Sequence, residues 1–466
     1  MATLAQFEAS TSELSAAVKE IEHYCRTVEP SVELVPNDTL QPLVPPDAPS
    51  EVRRARRSIL ASIAKLQTLL GEPPDFLQHL AGQNQLLACL QWLCEFQVLA
   101  CIPLSGTVPF KDVVDLTGVP ETQLCRVVRL TVTAGFLREP EPGHVAHSAL
   151  SAPFVTTPSF LDAAMFLSET AAPAALQMAV ATQRFGHSQR PNESAYNVAF
   201  NTSVPFASAR AQRPKLQRQW PAYLRYGMDD VDASVTDILT RLDWLSLGNA
   251  SVVEVSTRSP AIAIALADLY PALHFVVQIS ETESSGRVPP QSTSDGWTLA
   301  SSTSSRPATP GLGSRIVIQQ RTPGTPQTVY DAAVYILRLP SPSPGMPSLL
   351  LPTRITAELS AHIGVLRASS RATLILIARL LPEPGTVDPN VEAIARVRDL
   401  SLLQMANERE IEMVELIDML NGVRDSMGRL VVVNKLRSRN DATIAMEVRY
   451  QAYGDRQAVP SVSTNA

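Results

Sequence analysis

The stretch Val252-Val253-Glu254-Val255-Ser256-Thr257-Arg258-Ser259-Pro260 decides the fold of this chain. An apolar run ends at Val255 and a short turn follows. Apolar residues then continue with helical spacing over 261–269 and as a second strand over 273–279. Strand, turn, helix and strand in this order form the first half of a nucleotide-binding sheet.

The turn in this unit departs from a ligand-binding loop. Such a loop needs glycines, because positive φ and close approach of the backbone to a ligand both favour them. Ser256, Thr257 and Arg258 occupy those positions, and side chains forced into positive φ cost about 1 to 2 kcal/mol per residue. Ser259 can cap the next helix and Pro260 suits its first turn. The sequence predicts that the fold is kept while the ligand cradle is lost.

The rest of the carboxyl-terminal half alternates strands and helices. This alternation predicts an α/β, doubly wound, Rossmann-like sheet that begins near Val231. The further predicted strands are 315–318, 332–337, 373–378, 430–436 and 443–450, and the further helices are 354–367 and 391–420.

Residues 280–314 separate the second strand from the third and are rich in Ser, Thr, Pro and Gly. This composition predicts a disordered insertion. It leaves the sheet at the carboxyl ends of the strands, where a ligand would enter. Three roles remain open: a cover for the vacated pocket, a tether tuned by phosphorylation, or a tolerated surface loop.

Helices dominate the amino-terminal half. The helix predicted over 51–70 is expected to bury a stripe of Ile59, Ile63, Leu66 and Leu70. The predicted helical segments are 5–27, 51–70, 76–104, 110–136 and 160–183, with a proline-bearing linker at 30–49 and a wing-like hairpin at 139–147.

Several motifs along the chain resemble one family. They are Glu254-Val255, residues 266–271, 273–278, 381–385 and 398–405, Glu408-Arg409, and, before the sheet, 119–121, 126–130 and 139–147. Together they are similar to fungal and plant S-adenosylmethionine-dependent O-methyltransferases, which pair a winged-helix dimerisation domain with a Rossmann-like sheet. The resemblance implies domains at 1–59 (helical arm and linker), 60–155 (winged helix), 156–230 (helical connector), 231–455 (degenerate methyltransferase-like domain) and 456–466 (tail).

Two departures from the family bear on function. The resemblance implies an acidic residue that grips the adenosine ribose where this chain has Ile279, and a catalytic histidine in the region of Leu339 and Pro342. A general base must titrate near neutral pH within reach of the acceptor hydroxyl, and a proline-serine run offers none. The vestigial cofactor turn therefore comprises Glu254, Ser256, Thr257, Arg258, Pro260 and Ile279. We predict no catalytic residue and no bound cofactor.

Within the family, the chain is most similar to the methyltransferase-like coactivators of fungal polyketide clusters. That resemblance implies a non-catalytic homodimer that assists a zinc-cluster transcription factor, in the nucleus with the cytoplasm as a second compartment. The alternative is an active O-methyltransferase for a polyketide phenol, with a rebuilt turn and Asp399 or Glu408 as base. A third hypothesis is that the old pocket binds a pathway metabolite.

Composition limits the partners. The chain has 39 basic and 45 acidic residues, a net charge of −6, which argues against direct binding to phosphate backbones. Residues 107–150 hold four basic and five acidic residues, so the winged helix is predicted to be a dimer scaffold. We expect no signal peptide and no membrane span.

Four other features have structural and functional interpretations. We expect five reduced, mostly buried thiols and no metal site, since a histidine pair lacks a third ligand. A basic cluster is either a solvated helix face or a nuclear-import patch. A basic, aromatic segment is either a connector or a partner surface. The thiols belong to Cys25, Cys89, Cys94, Cys101 and Cys125, and the histidine pair is His144 and His147. The basic cluster is Arg53, Arg54, Arg56 and Arg57, and the basic, aromatic segment is residues 210–226.

Overall fold

The computed structural model describes residues 2–28, 42–45, 47–227, 233–257, 259–280, 315–344, 350–438 and 443–454. The predictions for Val231, for Arg258 and for the insertion beyond Ser280 lie outside these residues. The chain divides into two compact units, one of Met1–Leu176 with Ala209–Gly227 and one of Gln177–Ser208 with Met228–Ala466. The finer domain boundaries stay predictions.

Eighteen α-helices lie within the described residues. The amino-terminal ones are α1 (Ala2–Val28), α2 (Ser50–Leu70), α3 (Pro73–Glu95), α4 (Phe110–Thr117), α5 (Glu121–Thr133), α6 (Pro153–Thr156), α7 (Pro158–Phe166), α8 (Ala172–Leu176), α9 (Met178–Phe185), α10 (Ala195–Ala199), α11 (Phe206–Gln212) and α12 (Pro214–Gly227). The others are α13 (Ala233–Leu239), α14 (Ala261–Leu269), α15 (Leu351–Ser360), α16 (Ile363–Ala368), α17 (Pro389–Ala406) and α18 (Met413–Gly422). None of these described helices is both long and apolar enough to cross a membrane.

The strands form two sheets. The first unit has a small antiparallel sheet in the order β1-β3-β2, and the second has a seven-stranded sheet in the order β6-β5-β4-β7-β8-β10-β9. The strands are β1 (Val108–Pro109), β2 (Leu137–Arg138), β3 (His144–His147), β4 (Ser251–Thr257), β5 (His274–Ser280), β6 (Ile316–Arg321), β7 (Val334–Arg338), β8 (Thr373–Arg379), β9 (Gly428–Arg437) and β10 (Thr443–Ala452).

The large sheet confirms the predicted α/β, doubly wound class. Strands β6, β5, β4, β7 and β8 are parallel, while β10 pairs antiparallel with both β8 and β9. Parallel strands must be covered on both faces, and two apolar clusters do so. Ile355, Leu359 and Leu416 belong to one cluster, and Ile238 and Leu266 to the other.

Two predicted helices of the carboxyl-terminal half are each divided in the structure. The predicted helix over 391–420 ends where Asn407 adopts φ 55°, a left-handed conformation that terminates helices. Glu412 then begins α18 through a reciprocal capping box with Glu415. The predicted helix over 354–367 is interrupted between α15 and α16.

The stripe predicted for α2 is partly wrong. The residues that pack against Ala17 and Ile21 of α1 are Val52 and Ala55, with Ile59 partly buried. Ile63 and Leu70, which were expected to be buried, are 42% and 66% exposed. Both sets recur at three- and four-residue spacing, so periodicity alone does not choose between them.

Candidate functional site

Strand β4 continues past the point where the turn was predicted. It runs through Thr257, so Ser256 and Thr257 extend the strand instead of forming a turn. Its register against β5 shifts between Glu254 and Thr257, where β4 holds one residue more than its neighbour. Such a bulge re-aims the chain at a strand end. Among the described residues, positive φ outside glycine occurs at Gln97, Asn201 and Asn407 and nowhere on this edge.

Glu254 points at the helix that follows. Its side chain is fully buried, and its Oε2 accepts a hydrogen bond of 3.2 Å from the backbone N–H of Ala263 in the first turn of α14. A helix amino terminus is a natural anion site, because its first N–H groups lack intrahelical partners. In this chain the protein supplies that anion itself.

The start of α14 differs from the sequence-based expectation. Pro260 is the N-cap residue, with φ −76° and ψ 13°, and no side-chain cap bond is made. Ser259 therefore does not take the predicted N-cap position. The carboxylate of Glu254, reaching from the strand, satisfies a first-turn donor that a capping side chain would otherwise hold.

The end of β5 is divided between apolar packing and an internal polar network. Ile279 is half-buried and packs against the cluster that contains Leu266. Gln278 is buried and exchanges two amide hydrogen bonds with Gln327, of 2.7 and 3.0 Å. Gln327 Nε2 lies 3.4 Å from Nε2 of His362.

This network extends to a buried ion pair. Glu358 accepts from the Arg321 guanidinium and from the Gly324 N–H, and its carbonyl oxygen lies 2.8 Å from His362 Nδ1. Burial lowers the pKa of His362 below its ordinary value. Sequence analysis did not single out Gln327, Glu358 or His362, since buried amides and carboxylates carry no periodic signal. Their contacts are made among themselves, which indicates a structural role.

The region predicted to have lost its base is apolar. Leu339 and Pro342 are both buried, and the Leu339 N–H donates to the Ile377 carbonyl at 2.9 Å. Neither side chain can exchange a proton. The region therefore offers no acid-base chemistry at these two positions.

The carboxylates named for the alternative hypothesis are engaged in local structure. Asp399 accepts a 2.8 Å hydrogen bond from the Glu410 N–H, and Glu408 is buried. Glu410 itself forms a buried ion pair with Arg398. Burial raises the pKa of Glu410, while Arg398 opposes the shift. The Asp399 carboxylate therefore serves as a hydrogen-bond acceptor for a backbone N–H.

These residues do not fit the adenosine cofactor that the fold implies. The resemblance implies a ribose acceptor at the position of Ile279, whose side chain has no acceptor atom, and a first-turn N–H of α14 already has Glu254 as its partner.

His147 serves the winged-helix region as a buried structural residue. Its Nδ1 lies 2.9 Å from Ser151 Oγ and its Nε2 lies 3.1 Å from the Leu99 carbonyl oxygen. Burial lowers the pKa of His147. Within the described part of the chain, no group of three or more His, Cys, Asp or Glu side chains could hold a metal ion.

The basic, aromatic segment 210–226 contributes buried aromatic side chains to the first unit. Trp220 and Tyr223 are buried, and the Tyr226 ring stacks on Phe160 at 4.0 Å between centroids. Arg218 pairs with Asp162 at 2.7 Å. The rings of Trp220 and Tyr223 therefore pack inside the first unit, whereas the Arg218–Asp162 pair lies at its surface. All five cysteines are free thiols.

The large sheet with its amino-terminal helices defines a methyltransferase-like fold. The chain is similar to the crystal structure of OxaC (TM-score 0.56, 15% identity, 96% of this chain and 100% of that one). It is also similar to the structure of LepI in complex with SAM (TM-score 0.58, 14% identity, 94% and 100%). At these identities the likeness shows the fold alone.

Proteins with higher sequence identity to this chain are named transcriptional coactivators. The chain is 52% identical to the monodictyphenone cluster transcriptional coactivator mdpA of Emericella nidulans, over 97% of this chain and 99% of that one. It is 47% identical to the trypacidin cluster transcriptional coactivator tpcD of Aspergillus fumigatus, over 97% and 98%. Residues 4–71 match the family model of the tpcD N-terminal domain. The chain belongs to this family of biosynthetic-cluster transcriptional coactivators.

Proposed function

We propose that this protein is a non-catalytic, methyltransferase-like coactivator that assists a zinc-cluster transcription factor in expressing a fungal polyketide gene cluster. The observation that carries the proposal is the 52% identity to a named cluster coactivator over nearly the whole of both chains. Its place of action is the nucleus, with the cytoplasm as a second compartment. The net charge of −6 favours action through a protein partner over direct contact with DNA.

The cofactor edge is, in this proposal, vestigial. Glu254 holds the start of α14, Ile279 packs against the core, and Leu339 and Pro342 fill the region of the lost base. The Glu254 carboxylate is bonded to the Ala263 N–H, and Ile279, Leu339 and Pro342 have no side-chain group for proton transfer. Selection has then kept the fold for its surfaces.

The proposed assembly is a homodimer formed through α3. Phe76, Leu77 and Leu80 of this helix are 66%, 66% and 50% exposed. They lie at three- and four-residue spacing on a segment that is exposed throughout residues 73–85. A second copy of the helix would cover this apolar face.

The test is deletion of the gene in its own host, with transcript profiling of the neighbouring biosynthetic genes. The wild-type gene should restore the lost transcripts, and so should an Arg258→Gly/Pro260→Gly variant, because no chemistry depends on that turn. Unchanged cluster transcripts after deletion would refute the proposed function. Methyl transfer from labelled S-adenosylmethionine to a polyketide phenol by the purified wild-type protein would favour the O-methyltransferase alternative.

A further inference from the structure

Helix α2 carries two stripes of residues at alternating three- and four-residue spacing. One stripe packs on α1 and includes the buried Val52, Ala55 and Ser62. The other, here called the open stripe, is exposed along its whole length. The open stripe consists of Arg53, Arg56, Leu60, Ile63, Gln67 and Leu70.

The open stripe has the geometry of a helix-packing seam. Its apolar members Leu60, Ile63 and Leu70 are 48%, 42% and 66% exposed. Spacing of three and four residues keeps such side chains on one line down a helix, where a second helix can interlock with them. At 1.5 Å per residue the stripe is about 25 Å long, which matches a partner helix of about five turns.

Charge on the stripe selects the partner. Helix α2 holds five basic residues and one acidic residue, although the whole chain has a net charge of −6. Arg53 and Arg56 are exposed at the amino-terminal end of the open stripe, and the apolar members follow. A complementary surface therefore presents carboxylates at one end and apolar side chains at the other.

We propose that the open stripe of α2 binds an acidic amphipathic helix of the partner transcription factor. The inference rests on the proposed function and adds the surface and the chemistry of its partner. Apolar side chains of that helix pack on Leu60, Ile63 and Leu70, and its carboxylates pair with Arg53 and Arg56. An amphipathic helix laid on an apolar stripe is a common mode of peptide recognition.

A second copy of α2 complements the stripe poorly. In a parallel pair, Arg53 and Arg56 of the two copies would face each other. In an antiparallel pair, Arg53 would be desolvated against Leu70 without a counter-charge. Both arrangements oppose like charges or bury an unpaired one, and either costs binding free energy. The exposed face of α3 serves the dimer without this conflict.

The first experiment measures fluorescence anisotropy of a labelled peptide with the full-length protein. The probe is a synthetic helix of about 18 residues, with leucines at three- and four-residue spacing and glutamates at one end. Arg53→Glu/Arg56→Glu and Leu60→Ser/Ile63→Ser should each raise the Kd about tenfold or more. Lys19→Glu/Arg26→Glu on α1, which makes the same charge change, should not.

A peptide with lysines in place of the glutamates adds a charge-swap arm. It should bind the Arg53→Glu/Arg56→Glu variant better than the wild-type protein. All four substituted side chains on α2 are exposed, and circular dichroism checks that the variants keep the helix content of the wild-type protein. No binding of the acidic peptide, or equal binding by all variants, would overturn the proposal.

A second experiment identifies the natural occupant. A photoreactive benzoylphenylalanine replaces Gln67 in the open stripe, or the exposed Thr68 beside it as control, in protein expressed in its own host. Mass spectrometry should identify an acidic amphipathic segment of a transcription factor crosslinked from position 67. Crosslinks to a second copy of this chain, or to its own residues 29–41, would overturn the proposal.

Cluster transcription separates this inference from the proposed function. Suppose that deletion lowers the transcripts and that a gene encoding the Leu60→Ser/Ile63→Ser variant restores them fully. The docking role of the open stripe is then refuted, while the coactivator function stands. If deletion has no effect, the function itself fails. The Arg53→Glu/Arg56→Glu variant is also tested with an added nuclear-import signal, so that low transcripts cannot result from failed import. Transcripts that stay low with this signal support the docking surface. Transcripts that the signal restores contradict the docking role of Arg53 and Arg56.

Discussion

At the scale of single residues, Glu254 explains how the edge of the sheet is stable without a glycine turn. Its carboxylate reaches from β4 to the Ala263 N–H and replaces an external anion at the start of α14. The strand continues to Thr257, with a bulge between Glu254 and Thr257. A position that the resemblance associated with cofactor binding has become a brace between a strand and a helix.

We expect Glu254→Ala to destabilise the protein by about 1 to 3 kcal/mol, because a buried N–H loses its acceptor. Glu254→Gln keeps an acceptor oxygen and should cost less. Chemical denaturation of the two full-length variants measures the difference. An alanine variant as stable as the glutamine variant would show that the hydrogen bond contributes nothing.

His362 gives the fold a predictable acid sensitivity. Because burial lowers its pKa in the folded state, the unfolded chain binds a proton first as the pH falls. Its contribution to stability is full above the ordinary histidine pKa of about 6.5 and decreases below it. His362→Gln should make the loss of Tm between about pH 7 and pH 5 shallower. An unchanged slope would contradict this assignment.

At this edge, the sequence reveals the changed turn but not the contacts that replace it. The absence of glycine is visible in Ser256 and Thr257, and it indicated a changed turn. The compensating contacts were not visible, since Glu254 with Ala263, and Gln278 with Gln327, are pairs that only the folded chain brings together. Ser259 was assigned a cap that Glu254 supplies instead.

At the scale of elements, the Arg321–Glu358 pair ties the edge strand β6 to helix α15. Both side chains are 6% exposed. Glu358→Leu alone should cost about 3 to 5 kcal/mol, because it leaves a buried guanidinium without its counter-charge. Arg321→Met/Glu358→Leu removes both charges and should cost clearly less. Equal losses in the single and the double variant, measured by denaturation, would refute the ion-pair account.

Strands were easier to predict than helix boundaries. Seven apolar runs matched the seven strands of the large sheet. In β4, β7 and β8 the signal is strong because buried parallel strands are apolar on both faces. The division of the 391–420 helix depends on the left-handed backbone of Asn407, which composition does not reveal. The choice of buried stripe on α2 depends on the partner helix α1.

At the scale of the whole molecule, we assign different roles to two exposed helix faces. The face of α3 forms the proposed homodimer, and the open stripe of α2 binds the transcription factor. Phe76→Glu/Leu80→Glu on α3 should convert the proposed homodimer to a monomer, because charges would replace the apolar contact. Light scattering coupled to size-exclusion chromatography measures the mass. Leu60→Ser/Ile63→Ser on α2 is the matched control and should leave the dimer intact. A wild-type monomer, or a dimer in both variants, would contradict this assignment.

The proposed non-catalytic function requires a methyltransferase fold that no longer binds the methyl donor. Isothermal titration of S-adenosylmethionine into the purified full-length protein tests this most directly. We predict no heat of binding and no thermal stabilisation at millimolar ligand. Saturable binding with a micromolar Kd would contradict the central claim.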